Sequence, residues 1–161
     1  MKKNNNLVIA FILLILISGC GGYKPIFGSI DLQFEIGQYS IEGNKPLGKK
    51  IYRKLNNLSK TAKDKKDARK ITLRINTTKD KKVSLKNSSG KILEYKISLK
   101  TEIEVNDFMT NNKILNQTFS NSSTYRIQKQ YSETIKLENL SIETMLEKTY
   151  QDLLIKLSQN I

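Results

Sequence analysis

The sequence predicts an α+β fold, a two-layer sandwich in which two helices pack on one face of a mostly antiparallel four-stranded sheet. Two patterns support this prediction. Apolar and polar residues alternate along several segments, as they do in strands that bury one face. Along two other segments the apolar residues recur at spacings of three and four, which is typical of amphipathic helices. The predicted order is strand, helix, three or four strands, and a second helix.

The first strand and the first helix are predicted near the start of this domain. Ile30–Ile36 alternates with polar residues, and Gly37 and Gly43 bracket a predicted turn. Pro46 suits the first turn of a helix, because its missing N–H would have no partner there. The predicted helix has an apolar stripe and an opposite basic side. The stripe is Leu47, Ile51, Leu55 and Leu58, and the basic side is Lys50, Arg53 and Lys54.

Two shorter strands are predicted in the middle of the chain. Ile71–Ile75 alternates and forms one of them, and the polar residues 76–82 are predicted to be a turn. Val83 and Leu85 begin a short further strand. Ser88-Ser89-Gly90 then gives a turn signal.

A long antiparallel hairpin is predicted next. Leu93–Val105 is the clearest strand of the chain, and at ~3.3 Å per residue it would be about 40 Å long. Residues 106–112 form a loop, and Ile114–Ile127 returns beside the first strand. The centre of the returning strand is Asn121-Ser122-Ser123-Thr124, which is polar enough to predict an edge strand.

The C-terminal segment is predicted to be helical. Residues 128–140 are predicted to be an irregular connection, and Ser141 offers an N-cap side chain. Glu143 and Glu147 near the start and Lys156 near the end suit the helix dipole. The apolar stripe of this helix is Ile142, Met145, Leu146, Thr149, Leu153 and Leu157.

The N-terminus has the features of a lipoprotein signal. Lys2 and Lys3 precede eleven consecutive apolar residues, Leu7–Ile17, and Ser18-Gly19 leads into the only cysteine, Cys20. The apolar run is too short for a transmembrane helix, which needs about 20 residues. We therefore expect residues 1–19 to be a signal peptide, Cys20 to be lipidated, and residues 20–161 to form one domain. Gly21 after Cys20 favours a lipid-anchored, periplasm-facing location at the outer membrane.

Positive charge is concentrated in one part of the chain. Lys45–Lys82 contains fifteen Lys/Arg and three Asp, a net charge of +12. This clustering predicts an anionic partner, such as lipid phosphates, lipopolysaccharide or acidic protein loops. Nucleic acid is not expected, because Tyr52 is the only aromatic residue of the segment and cannot form a stacking platform alone. A solvated basic surface without a partner remains the alternative.

The residue types do not support an enzyme. The chain has no histidine, and its one cysteine is the predicted lipidation site, which excludes His-based triads, a cysteine nucleophile and the usual zinc sites. Ser88-Ser89-Gly90-Lys91 has the Ser-x-x-Lys spacing of penicillin-interacting enzymes, but that chemistry needs a helix start and two further motifs. We interpret this segment as a hairpin turn, and we expect no cofactor and no metal.

Two segments carry a family resemblance. Cys20 followed by Gly22-Tyr23-Lys24-Pro25-Ile26-Phe27 resembles the Cys-Gly-Phe-x-Pro-Leu-Tyr opening of the LPS-assembly lipoprotein family, LptE. Tyr95–Phe119 resembles the central hairpin of that family, whose loop carries Asp-x-x-x-Gly-Lys. Asp107 and Lys113 resemble the ends of this loop, which is one residue longer here. Asn112 stands in place of the glycine, and Asn tolerates the left-handed conformation.

The resemblance implies a role without catalysis. LptE proteins sit at the inner leaflet of the outer membrane, plug the lumen of the LptD β-barrel, assist its assembly and bind lipopolysaccharide. On this hypothesis Phe108 and Met109 at the loop tip would contact the barrel. The cations that would meet the lipopolysaccharide phosphates are Arg74, Lys79, Lys81 and Lys82. The alternative is a scaffold lipoprotein that binds other envelope proteins without recognising lipid.

Overall fold

The computed structural model describes residues 32–62 and 68–161. The described residues belong to one compact unit, Asp31–Ile161. Its elements are β1 (Phe34–Gly43), α1 (Lys45–Ala62), β2 (Arg69–Lys86), β3 (Ile92–Asp107), β4 (Lys113–Arg126) and α2 (Tyr131–Ser158). The predicted signal peptide, Cys20 and the segment 22–27 lie outside the described residues.

The four strands form one open sheet in the order β1-β2-β3-β4. β1 and β2 are parallel, and the other two pairs are antiparallel. α1 packs on β1 and β2, and α2 packs on β4 and β3, both from the same side. The predicted α+β sandwich, with two helices on one face of a mostly antiparallel four-stranded sheet, is therefore confirmed.

The hydrophobic core lies between the helices and this side of the sheet, which we call the helix face. Alternate apolar residues of β2 and β3 meet the apolar stripes of α1 and α2, and burial of these side chains is the main stabilising contribution. The buried residues include Ile71, Leu73 and Ile75 of β2, Ile97, Leu99, Ile103 and Val105 of β3, Ile51 and Leu55 of α1, and Met145, Leu153 and Leu157 of α2. The opposite side, the open face, is polar. Among the described residues, neither helix is long and apolar enough to cross a membrane.

The start of α1 confirms the helix predicted around Pro46. Asn44 precedes the helix, and its side-chain Oδ1 accepts a hydrogen bond from the Leu47 N–H at 3.3 Å. Such an N-cap satisfies one of the backbone donors that have no partner in the first turn. Pro46 lies in that first turn.

Two predicted turns are strands in the structure. β1 continues to Gly43, with a register shift between Ile36 and Gln38 that places an irregularity at Gly37. β2 continues through residues 76–82, all of which pair with β3, and the pairing extends to Lys86 opposite Ile92. The prediction failed there because Lys79 and Lys81 occupy helix-face positions, so the segment is polar on both faces and shows no alternation.

α2 begins eleven residues earlier than predicted, with Gln130 rather than Ser141 at its N-cap. Residues 131–140 are helical, and Ser141 lies inside the helix rather than at its N-cap. The first turn is tied to the preceding segment because the Gln128 N–H donates to Thr134 Oγ1 at 2.9 Å. Polar residues, Thr134 and Glu138, face the sheet in these first turns, which is why no apolar stripe marked them.

Candidate anion-binding surfaces and hairpin tip

The four cations predicted to bind lipopolysaccharide lie on two different faces of β2. Lys79 and Lys81 are opposite Leu99 and Ile97 of β3, on the helix face. Arg74 and Lys82 occupy the alternate positions on the open face. The structure therefore does not bring the four residues together as one cluster.

Lys79 and Lys81 both contact Glu138 of α2. Lys81 Nζ lies 2.6 Å from Glu138 Oε2, and Lys79 Nζ lies 3.6 Å from Oε1. The Tyr125 hydroxyl donates a hydrogen bond of 2.7 Å to Glu138 Oε2. Lys81 Nζ also lies 4.4 Å from the centroid of the Tyr95 ring, within cation–π range. The two lysines thus join β2 to the first half of α2.

Electrostatics keep this contact charged at neutral pH. Burial raises the pKa of Glu138, but hydrogen bonds from Lys81 and Tyr125 outweigh it, so that the pKa lies below its ordinary value. Burial lowers the pKa of Lys81, but the hydrogen bonds to Glu138 and Tyr125 outweigh it and raise the pKa. The charge of Lys81 is therefore already compensated, and a phosphate would have to displace Glu138 to bind it.

Arg74 and Lys82 make exposed ion pairs on the open face. Arg74 Nε and Nη2 donate to the two carboxylate oxygens of Glu42 at 3.0 and 3.1 Å. Lys82 Nζ lies 3.0 Å from Asp80 Oδ2. Exposed ion pairs contribute only about 0–1 kcal/mol to stability. An anionic ligand could therefore replace Glu42 and Asp80 as the partners of these two cations.

A row of three cations on α1 has no carboxylate within ion-pair distance among the described residues. Lys45, Lys49 and Arg53 are exposed and follow one another at intervals of four, which places them on one side of the helix. We call them the α1 row. Beside them, Lys50 and Lys54 pair with Glu143 and Glu147 of α2.

The α1 row is also unfavourable for the helix itself. It starts in the first turn, which contains no acidic residue, where the positive end of the helix dipole repels cations. A bound anion would relieve this repulsion. The amphipathic pattern of the sequence predicts Arg53 on the basic side of this helix but does not single out Lys45 or Lys49. The repeat of Lys or Arg at every fourth position could have identified all three.

The predicted barrel contact lies in the tight loop between β3 and β4. Asp107 Oδ1 accepts the backbone N–H groups of Met109 and Thr110, each at 3.0 Å. Asp107 Oδ2 accepts a hydrogen bond from Arg69 Nε at 2.9 Å. Hydrogen bonds lower the pKa of Asp107 to about 2. The largest effect comes from the Thr110 N–H and the next from Arg69. Asn111 has a φ of 56° and supplies the left-handed residue of the loop, whereas the sequence assigned that conformation to Asn112.

The two apolar residues of this loop are accessible. Met109 is 82% exposed, and Phe108 is 38% exposed. Lys70 Nζ lies 4.4 Å from the centroid of the Phe108 ring. A Cβ at Gly37 would come within 2.9 Å of Phe108 Cδ2, so the glycine makes room for the ring. Contact of Phe108 and Met109 with a barrel stays a prediction.

The open face presents hydroxyl, amide and charged groups across all four strands. Opposite pairs of β3 and β4 on this face include Glu102 with Thr118 and Ser98 with Ser122. One depression of about 320 Å³ is lined by Arg74, Asn76, Glu102, Ile103, Glu104, Asn116 and Thr118. The hydrogen bond from Lys100 is the main cause of the lowered pKa of Glu102. This face is suited to polar contacts and offers no apolar platform.

The Ser-x-x-Lys match lies in a hairpin turn, as predicted. Residues 88–90 form the turn between β2 and β3, and Gly90 has a φ of 80°. The Asn87 side chain accepts the backbone N–H groups of Ser89 and Lys91 at 3.1 and 2.8 Å. Ser-x-x-Lys chemistry requires these residues at the start of a helix, and here they lie in a turn between two strands.

Comparisons with known proteins identify the fold. No family model matches the chain, and no curated protein sequence matches it significantly. Among solved structures, rare lipoprotein B from Shewanella oneidensis is similar, with a TM-score of 0.55 and 13% sequence identity over 76% of this chain and 94% of that one. Lipoprotein B from Nitrosomonas europaea has a TM-score of 0.57 and 15% identity over 83% of this chain and 88% of that one.

A third similar structure is a minor lipoprotein from Acinetobacter baumannii, with a TM-score of 0.51 and 16% identity over 79% of this chain and 94% of that one. The chain thus covers most of the length of each of these proteins. At such identities the similarity establishes a shared fold, and the fold is one that solved lipoproteins use.

Proposed function

We propose that this protein is a non-enzymatic, lipid-anchored lipoprotein of the outer membrane that faces the periplasm. It would occupy the lumen of an LptD-like β-barrel, assist the assembly of that barrel, and bind lipopolysaccharide during its transport to the cell surface. No cofactor takes part. The proposal extends the resemblance of the N-terminal segment and the central hairpin to the LptE family.

One observation carries the proposal. A chain that begins with the sequence features of a lipoprotein signal folds, over its described residues, into the architecture of three solved lipoproteins. The signal is read from the amino-acid sequence of residues 1–20 and the fold from the described residues, so the two are separate observations. Their coincidence in one chain favours an envelope lipoprotein.

The surface of the domain suits a polar cavity. The interior of a large outer-membrane barrel is polar and water-filled unless a plug occupies it. A plug must therefore offer polar groups, and the open face offers hydroxyl, amide and paired charged groups on each strand, including Ser40, Thr72, Ser98 and Thr118. An apolar open face would instead have predicted a hydrophobic partner.

The phosphate contacts are proposed at the α1 row and at Arg74 and Lys82. Lys79 and Lys81 are less suited, because Glu138 already compensates their charge. Replacing them with glutamate would place three carboxylates together and destabilise the fold, which would confound a binding measurement. Lys45, Lys49 and Arg53 can be changed without breaking an ion pair of the described residues.

The decisive experiment for the barrel is co-expression of the full chain with the LptD-like barrel of the same genome, followed by extraction in mild detergent. We expect a stable complex in a fixed ratio and a lower yield of folded barrel when the lipoprotein is omitted. Co-purification of the lipoprotein with a cell-wall protein or another assembly machine, and not with the barrel, would favour the scaffold alternative instead.

The decisive experiment for lipid recognition uses purified lipopolysaccharide. The triple variant Lys45→Gln, Lys49→Gln and Arg53→Gln should bind at least tenfold more weakly at low salt, because each cation near an anionic surface contributes about 1 kcal/mol. The matched control carries Lys129→Gln, Lys136→Gln and Lys156→Gln, which remove the same charge from exposed positions elsewhere. Equal binding by both variants and the wild type would refute the α1 row as the contact.

A further inference from the structure

β4 is an edge strand that lacks the usual protection of edges. Among the described residues it pairs only with β3, from Lys113 to Arg126, with one register shift at Ile114 near its start and an unbroken register over residues 115–126. Residues 114–125 contain no charged residue, proline or glycine. Natural edge strands are usually short, charged, bulged or covered, because their free N–H and C=O groups otherwise pair with another chain.

The other edge of the sheet is different. β1 has 10 residues and β4 has 14. β1 carries an irregularity at Gly37 and ends at Gly43, whose φ is 66°. It also carries Glu42, which pairs with Arg74. Bulges and charges of this kind discourage edge pairing. β4 has an irregularity only at Ile114, beside its first residue, and its uncharged residues 115–125 pair with β3 in unbroken register.

α2 supports β4 from its face and leaves its edge open. Leu115, Phe119 and Tyr125 are buried on the helix face. At the centre of the strand, Asn121 Nδ2 donates to Thr149 Oγ1 of α2 at 3.0 Å, and Thr149 Oγ1 donates to the Met145 carbonyl at 3.0 Å. The centre of β4 is therefore anchored to α2 before any partner binds, which lowers the entropic cost of adding a strand.

The charges at the ends of β4 indicate what kind of strand fits. Lys113 and Arg126 are exposed at its two ends. A second copy paired antiparallel about a two-fold axis would place Lys113 beside Arg126 at both ends, and a parallel copy would place each cation beside itself. Like charges opposite one another destabilise a strand pair. A different chain with carboxylates at these positions has no such penalty.

We propose that β4 receives an extended strand of the partner protein as a fifth strand of the sheet. The partner segment is uncharged and polar in its middle and carries Asp or Glu facing Lys113 and Arg126. This is β-augmentation, in which backbone hydrogen bonds provide the affinity and flanking contacts the register. The identity of the partner as the outer-membrane barrel rests on the proposed function.

The first experiment measures hydrogen exchange of β4 amides in the full chain alone and in the purified complex with the co-expressed barrel. In the free chain, alternate amides of β4 should exchange rapidly, because only every second residue of an edge strand donates its backbone N–H to the neighbouring strand, here β3. In the complex, those rapidly exchanging amides should slow at least tenfold. A complex in which they exchange at the free rate overturns this inference and leaves the proposed function standing. Absence of any complex overturns both.

The second experiment changes charge without touching the core. Lys113→Glu with Arg126→Glu should weaken binding of the barrel at least tenfold, whereas Lys91→Glu with Lys129→Glu, which makes the same change at exposed positions outside β4, should not. An equal loss of barrel binding in the two double variants overturns the proposed charge match. Protection of the β4 amides in the purified chain alone, together with a dimer in analytical ultracentrifugation, would assign the edge to a second copy and overturn the proposal.

Discussion

Lys81 Nζ lies 2.6 Å from Glu138 Oε2 and so links the part of β2 beyond the end of β1 to the first half of α2. The side chain of Glu138 is only 12% exposed and also accepts the Tyr125 hydroxyl. A carboxylate in such a position is stable only with its partners, because burial of an unpaired charge is costly. This contact stabilises the N-terminal turns of α2, where the apolar stripe is missing.

The first prediction concerns removal of this carboxylate. Glu138→Gln should lower the free energy of unfolding by about 1–3 kcal/mol, because Lys79, Lys81 and Tyr125 lose a charged acceptor. Urea denaturation measures the change. The matched control is Glu143→Gln, which removes a carboxylate from the same helix but from an exposed pair with Lys50, and should cost less than about 1 kcal/mol. Equal effects of the two substitutions would contradict the proposed role.

The second prediction concerns stability in acid. The pKa of Glu138 is lower in the folded chain than its ordinary value of about 4.3. The stabilisation is therefore fully present above that value and is lost as the pH falls through the folded pKa. Between about pH 5 and pH 3 the wild type should lose more stability than Glu138→Gln. Parallel curves of unfolding free energy against pH for the two proteins would show that Glu138 carries no such linkage.

The elements that the sequence predicted well are those whose buried positions are apolar. The alternation of Ile71, Leu73 and Ile75 located the start of β2, and the stripe of α1 followed from Leu47, Ile51 and Leu55. The secondary structure predicted from the sequence is wrong where polar residues occupy the helix face. Lys81 and Glu138 stabilise each other across two elements, so each looks like surface in its own segment. Because the two residues are far apart in the sequence, no local pattern could have predicted their ion pair.

The candidate site was also predicted only in part from the sequence. Net charge located the basic segment, yet it could not separate Lys79 and Lys81, whose charges are compensated, from Lys45 and Lys49, whose charges are not. That distinction depends on which carboxylates the fold brings near. The edge position of β4 was predicted from its polar centre, and the sheet order confirms it.

The third prediction concerns a glycine within α1. Gly→Ala in a helix usually stabilises by about 1 kcal/mol. At Gly48, however, a Cβ would lie 2.6 Å from Ile41 Cγ2 of β1, so the helix could not stay in place. Gly48→Ala should therefore destabilise the fold by roughly 1–3 kcal/mol. Ile41→Ala in the same chain should recover part of this loss, as a double-mutant cycle in urea would measure. A rise in stability from Gly48→Ala alone would show that α1 can shift away from β1.

The last prediction links the order of the hairpin tip to its use. Asp107 holds the loop through the N–H groups of Met109 and Thr110, and this is why Met109 projects from a fixed position. A photo-crosslinking residue at Met109 should capture the co-expressed barrel at a defined site, according to the proposed function.

Asp107→Ala should spread or reduce these crosslinks while leaving the amount of complex nearly unchanged, because the backbone pairing of β2, β3 and β4 remains when the loop hydrogen bonds and the contact with Arg69 are lost. Asn111→Gly is the matched control, since glycine adopts the φ of 56° at least as readily and should keep the crosslinking pattern. A crosslinker at Met109 that never captures the barrel in an otherwise intact complex would exclude the tip from the interface. The tip would then face water or lipid, and its two apolar side chains would need another explanation.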